Sequence, residues 1–160
     1  MRAQEFFRAL TSSASVAFED SQVSAGHGSF ATALVDHLRP WVDDAQDVHF
    51  GVALSSFSER LSGQLWWLLI LDRGVLEVTA TFDQHLARLT TSVTLHAVSD
   101  IVGVQEVLTF TEKVGSHPKA IEAVAHLKLQ TTAFELRSRG DLPPSGVRRF
   151  VRAISSLSTS

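Results

Sequence analysis

Gly63-Gln64-Leu65-Trp66-Trp67-Leu68-Leu69-Ile70-Leu71 decides how this chain folds. Every residue from Leu65 to Leu71 is apolar, and two are adjacent tryptophans. In a strand, successive side chains point to opposite faces. Leu65, Trp67, Leu69 and Leu71 then share one face, and Trp66, Leu68 and Ile70 share the other. Both faces are apolar, so both need a cover. Burying one large apolar side chain is worth about 1.5–3 kcal/mol, which rules out water as a stable cover. One face belongs to the sheet interior. The other, that of Trp66, Leu68 and Ile70, is expected to lie under an N-terminal helix, with Trp41 near the tryptophan pair, or under another subunit.

C-terminal to this ribbon, Asp72-Arg73-Gly74 is a tight turn in which glycine can take positive φ. Leu76, Val78, Ala80 and Phe82 then alternate with more polar residues, and Leu89, Thr91, Val93, Leu95 and Ala97 do the same after Asp83-Gln84-His85. This period of two marks two further strands. Val102, Val104, Leu108 and Phe110 suggest a fifth strand, with an irregularity expected near Glu106. Lys119 to Val124 reads as a helical turn or as the start of the next strand. Leu127 and Leu129 have one phase and Phe134 and Leu136 the opposite one, so a turn or bulge near Thr131-Thr132 must separate strands six and seven. After Pro143-Pro144, Val147, Phe150, Val151, Ile154 and Leu157 form the apolar stripe of a closing helix.

N-terminal to the ribbon, Val48 to Leu54 is a first strand. Phe6, Phe7 and Leu10 suggest a short helix, and Ser21 to Ser29 a loop. Ser29 has the chemistry of an N-cap. Phe30, Ala33, Leu34, His37, Leu38 and Trp41 form a helical stripe that Pro40 kinks or ends. Asp43, Asp44 and Asp47 then read as a solvated acidic loop. The expected fold is α+β. N-terminal helices in residues 1–46 pack on about seven antiparallel strands, a bent sheet or open barrel in residues 47–160 that is closed by one C-terminal helix.

Composition narrows the function. A hydrophobic fraction of 44% over 160 residues is enough for a real core. A formal net charge of −3 argues against a broad nucleic-acid-binding surface. The chain has no cysteine, which removes disulfides, thiolate nucleophiles and Cys-ligated zinc and fits a cytoplasmic location. No signal-peptide core opens the sequence, and its longest apolar run falls far short of the roughly 20 residues of a transmembrane helix.

The element order, with the closing pattern from Phe134-Glu135-Leu136 through Pro143 to Phe150-Val151, resembles the pleckstrin-homology-like superfold. The resemblance covers about Val48 to Leu157. It implies a pair of bent, nearly orthogonal sheets plugged by the last helix. In phosphoinositide-binding members the loop between the first two strands carries several Lys and Arg. Here that loop is Ser55-Ser56-Phe57-Ser58-Glu59-Arg60-Leu61-Ser62, and one Arg beside one Glu is a poor clamp for a multiply charged headgroup. Many members of the superfold bind proteins instead. The rival is a cone-shaped sheet of the nuclear-transport-factor type, which begins with helices but ends on a strand.

Candidate chemistry is sparse. His27 lies in a Gly-His-Gly loop, His37 on an apolar helix stripe, His117 in a turn and His126 on a strand. His85 and His96, with Asp83 and Asp100 nearby in sequence, are the candidates for acid–base work. No metal-ligand spacing, phosphate loop or nucleophile elbow is present, so no catalytic, metal or cofactor role is assigned to any residue. The largest charge asymmetry is Arg137, Arg139, Arg148, Arg149 and Arg152, which suits an anionic partner; no aromatic residues interleave it on that face for base stacking. The sequence therefore favours a non-enzymatic module that binds a protein or a second copy of itself. The alternative is a small-ligand binder or enzyme with a pocket built on His96, Asp100 or His85 inside a cone-like sheet.

Overall fold

The computed structural model describes residues 2, 4–5, 27–43, 47–57, 62–83, 88–111, 117–140 and 142–158. Its elements are α1 (His27–Leu38), β1 (Phe50–Phe57), β2 (Ser62–Leu71), β3 (Gly74–Asp83), β4 (Arg88–Ala97), a 3-10 turn (Val98–Asp100), β5 (Ile101–Thr111), β6 (Lys119–Leu129), β7 (Ala133–Arg137) and α2 (Pro144–Ser158). The seven strands form two antiparallel sheets, ordered β1-β2-β3-β4 and β5-β6-β7, and no described pairing closes them into a barrel. The chain divides into two compact units, Met1–Leu95 and His96–Ser160.

In the first unit, β2 is flanked on both sides, by β1 and by β3. The β2–β3 hairpin turns at Asp72-Arg73, and Gly74 follows with φ 143°, a conformation that side chains with a Cβ rarely adopt. Leu65, Trp67, Leu69 and Leu71 are all buried, in one cluster with Leu76, Val78 and Ala80 of β3 and Leu34, Val35, Leu38 and Val42 from α1 and the residues after it. Trp41, Leu89, Val93 and Leu95 pack against this cluster from its margin. The helix thus covers the Trp67 face, not the Trp66 face expected from sequence. Register supplies the reason. On the Trp67 face the β3 neighbours are Leu76, Val78 and Ala80, whereas on the Trp66 face they include Glu77, Thr79 and Thr81. An apolar helix stripe settles on the continuous apolar surface.

The Trp66 face is nevertheless withdrawn from water over most of its length. Phe50, Val52, Leu68, Ile70 and Val75 are all buried. Where this row gives way to polar side chains, the half-buried Trp66 donates its Nε1–H to Glu77 Oε2 at 3.1 Å. Trp67 differs: its buried Nε1 has no hydrogen-bond partner among the described residues.

Several other expectations are corrected. Helix α1 begins at His27, so Ser29 lies within its first turn and is not the N-cap. The buried stripe is Leu34, Val35, Leu38 and Val42, while Ala33 and His37 are exposed. His37 Nδ1 instead meets Thr91 Oγ1 on β4. As expected, the helix ends at Pro40, its last residue being Leu38, and the Trp41 carbonyl accepts a hydrogen bond from Arg73 at the hairpin turn. Asp43 and Asp47 are exposed, and Asp47 pairs with Arg2 at 3.6 Å. The Phe6–Leu10 helix and Asp44 lie outside the described residues.

In the second unit, β5 and β6 pair in register across ten residue pairs with two irregularities. Neither is at Glu106. At one end the pairing steps from Ile101–Leu129 to Gly103–Lys128, leaving Val102 as the extra residue; at the other it steps from Thr109–Glu122 to Phe110–Ala120, leaving Ile121. Lys119 to Val124 is strand throughout. Leu129 N–H donates to the Thr132 carbonyl at 2.9 Å, the turn that the opposite phases of β6 and β7 require. One face of this sheet presents Ala123, Ala125, Leu127, Leu129 and Leu136, all buried, and α2 contributes buried Val147, Phe150, Ala153, Ile154 and Leu157. Helix α2 packs mainly on β6 and β5. The alanines at positions 123 and 125 suit a close approach of that helix.

Replacing Trp67 by Ala is expected to destabilise the chain by about 3–5 kcal/mol in urea titration, because nothing collapses easily into so large a buried volume. Trp66→Ala, at a half-buried position beside Glu77, costs clearly less in the same measurement.

Candidate functional site

Polar side chains in the second unit are ordered by strand register. On the sheet face away from the buried alanines, Gln105, His126 and Glu135 form one cross-strand row, Gly103, Lys128 and Ala133 the next, and Val107, Val124 and Arg137 a third. His126 Nδ1 lies 3.8 Å from Glu135 Oε2. Arg137 reaches Glu135 through Nη2 at 3.2 Å and Glu122 through Nη1. Val124, opposite Arg137, is buried on this otherwise wet face. A long arginine stem shields apolar surface while its head group stays in water.

The first two rows line a groove of about 870 Å³, with Phe134 and Thr132 at its β7 side. The groove offers an amide, an ammonium and a His–Glu pair over apolar neighbours. A Cβ added at Gly103 would meet nothing within 4 Å, so this position is open.

The five arginines singled out from sequence all fall in this unit, but not as one uncompensated cluster. Arg137 is paired with Glu122 and Glu135. Arg148 Nε lies 3.6 Å from Glu106 Oε1 on β5. Arg139 follows β7, where its backbone exchanges hydrogen bonds with Leu142 at 2.7 and 3.0 Å. Arg149 and Arg152 are exposed on α2, one helical turn apart.

The histidines are scattered. His96 sets its ring edge-on to Phe134, 5.4 Å between centroids, and its buried Nε2 has no partner among the described residues. Asp100 accepts a backbone hydrogen bond from Gln130 at 2.9 Å through its carbonyl. His96 and Asp100 do not line the groove, and His85 lies outside the described residues. Among those residues, no group of three or more His, Asp or Glu is gathered that could hold a metal ion. The contact of His49 Nε2 with Asp72 Oδ1, which ties the start of β1 to the β2–β3 turn, also had no sequence signal. Only strand register brings those two together.

Gly103→Ala is expected to raise stability by about 0.4–1 kcal/mol, since the new methyl enters open space and the unfolded chain loses freedom; thermal unfolding checks it. Arg149→Ala and Arg152→Ala should each change stability by less than about 0.5 kcal/mol. Compared with protein-family models, curated proteins and solved structures, the chain matches none.

Proposed function

We propose that this chain is a non-enzymatic protein-interaction or self-association module of the pleckstrin-homology-like type, working in the cytoplasm. Support for the fold type comes from the order of four antiparallel strands, three antiparallel strands and a closing helix. Support for the cytoplasmic location is the cysteine-free composition. No helix among the described residues is long and apolar enough to cross a membrane.

The observation that carries the interaction reading is a set of apolar side chains left in water. Val102 is 58% exposed, Val107 43%, Phe110 56% and Ile121 58%, all on β5 and its neighbour β6. Among the described residues the other large apolar side chains are buried or half-buried, so these four stand apart. Exposed Arg149 and Arg152 on α2 extend the proposal to an acidic segment of the partner. A second reading, a small-ligand binder, draws on the groove beside Gly103 and Lys128.

The test immobilises the wild-type chain and a Val107→Lys/Phe110→Lys variant. Each is exposed to native extract, and any stoichiometric partner is purified and titrated back. The interaction reading expects binding to fall by about tenfold or more in the variant at an unchanged unfolding midpoint. Equal binding by both proteins overturns it. A small-molecule thermal shift abolished by Gly103→Leu would favour the groove.

A further inference from the structure

We propose that β5 is a dimerisation edge, at which two copies of the chain pair their β5 strands antiparallel about a two-fold axis at Val107. The two three-stranded sheets then become one continuous sheet of six strands. This rests on the self-association arm of the proposed function and gives it a geometry.

The first argument is the edge itself. β5 hydrogen-bonds to β6 on one side and, among the described residues, is the outer strand of its sheet. An outer strand presents a row of backbone donors and acceptors, which proteins usually blunt with Lys, Pro, brevity or burial. β7, the other edge of this sheet, has five residues and carries Glu135 and Arg137. β1 is uncharged, but its Phe50 and Val52 are buried. β5 has eleven residues, IVGVQEVLTFT, with no Lys, Arg or Pro. Its one charge, Glu106, is already engaged by Arg148.

The second argument is register. Val102 is the extra residue of the β5 bulge, and from Gly103 to Thr111 β5 itself carries no extra residue, the second register step being taken up by Ile121 on β6. The midpoint of that stretch is Val107. In an antiparallel pair, opposed residues lie on the same face of the sheet. An axis at Val107 opposes Val107 to its own copy, Gln105 to Thr109 and Gly103 to Thr111 on the wet face. On the other face it opposes Glu106 to Leu108 and Val104 to Phe110. The exposed Phe110 ring then lies across the half-buried Val104 of the second copy. No like charges meet. Moving the axis by one residue to Glu106 would set the two Glu106 carboxylates opposite each other, which is unfavourable. A two-fold interface must be self-complementary, and an axis at Val107 makes this strand so.

The chain contains no cysteine, so one introduced thiol reports the pairing without background. Sedimentation and light scattering over a concentration series should show a species of about twice the 17.5 kDa chain mass. Val107→Lys places two cations at the axis and should raise the dissociation constant by about tenfold or more. Val107→Cys should form a disulfide-linked dimer under mild oxidation, because directly opposed Cβ atoms lie about 4.5–5.5 Å apart. Thr94→Cys, exposed on β4, should not. A wild-type chain that stays monomeric at every concentration overturns the proposal. So does a dimer that Val107→Lys leaves intact, or equal cross-linking at positions 107 and 94. Should Val107→Lys fail to fold, the two cysteine variants decide alone. A monomeric chain that still binds a different protein through Val107 and Phe110 would sink the self-pairing and leave the interaction reading standing.

Discussion

The first unit depends on one packing contact, Trp67 and its row-mates against helix α1. Four large apolar residues of β2 point the same way, and each contributes about 1.5–3 kcal/mol when buried. That is large beside the few kcal/mol that separate folded from unfolded chains. Once β2 must be covered on that side, much else follows. The strand cannot be an edge, so it lies between β1 and β3. The helix must end over the hairpin turn, where Arg73 holds the Trp41 carbonyl, and must reach β4, where His37 meets Thr91. A buried Trp67 indole N–H with no partner among the described residues costs about 1–3 kcal/mol on their account. The apolar burial around it exceeds that penalty.

Local pattern explains which parts of this fold are legible in the sequence. The β2–β3 hairpin is written in period-two alternation and a glycine at the one position with φ 143°. β4 and α2 are equally plain, because each has a clean period and a polar or proline-marked start. The side on which α1 docks was not legible from β2 alone, since both of its faces are apolar. Glu77 and Thr79, on the neighbouring strand, break the tie. The rotation of the α1 stripe from Ala33 and His37 to Val35 and Val42 has the same origin: the sheet chooses the helix face.

The charge pattern follows the same logic. In sequence, Arg137 and Arg148 belong to a basic cluster. In the fold, register brings Glu122 and Glu135 to the first, and the packing of α2 on β5 brings Glu106 to the second. Partners distant along the chain are invisible to a local charge count. What stays outward on α2 is Arg149 and Arg152, a narrower feature than the five-residue cluster suggested.

The exposed apolar residues of the second unit have two distinct causes. Val102 and Ile121 are the extra residues of the two bulges, so their exposure is a geometric by-product of a register step. Val107 occupies a regular ladder position, and Phe110 pairs with Ala120 just past the second register step, on the strand that carries no extra residue there; an outward apolar side chain at either has no such excuse. A bulged residue is misaligned with any incoming strand, whereas a ladder residue is aligned by construction. The bulges also set limits: the β5 bulge ends regular pairing at Gly103, and the β6 bulge steps the register at Phe110. What is left between them is a nearly uncharged edge. Its apolar positions carry recognition, and its ends fix where a second strand must start and stop.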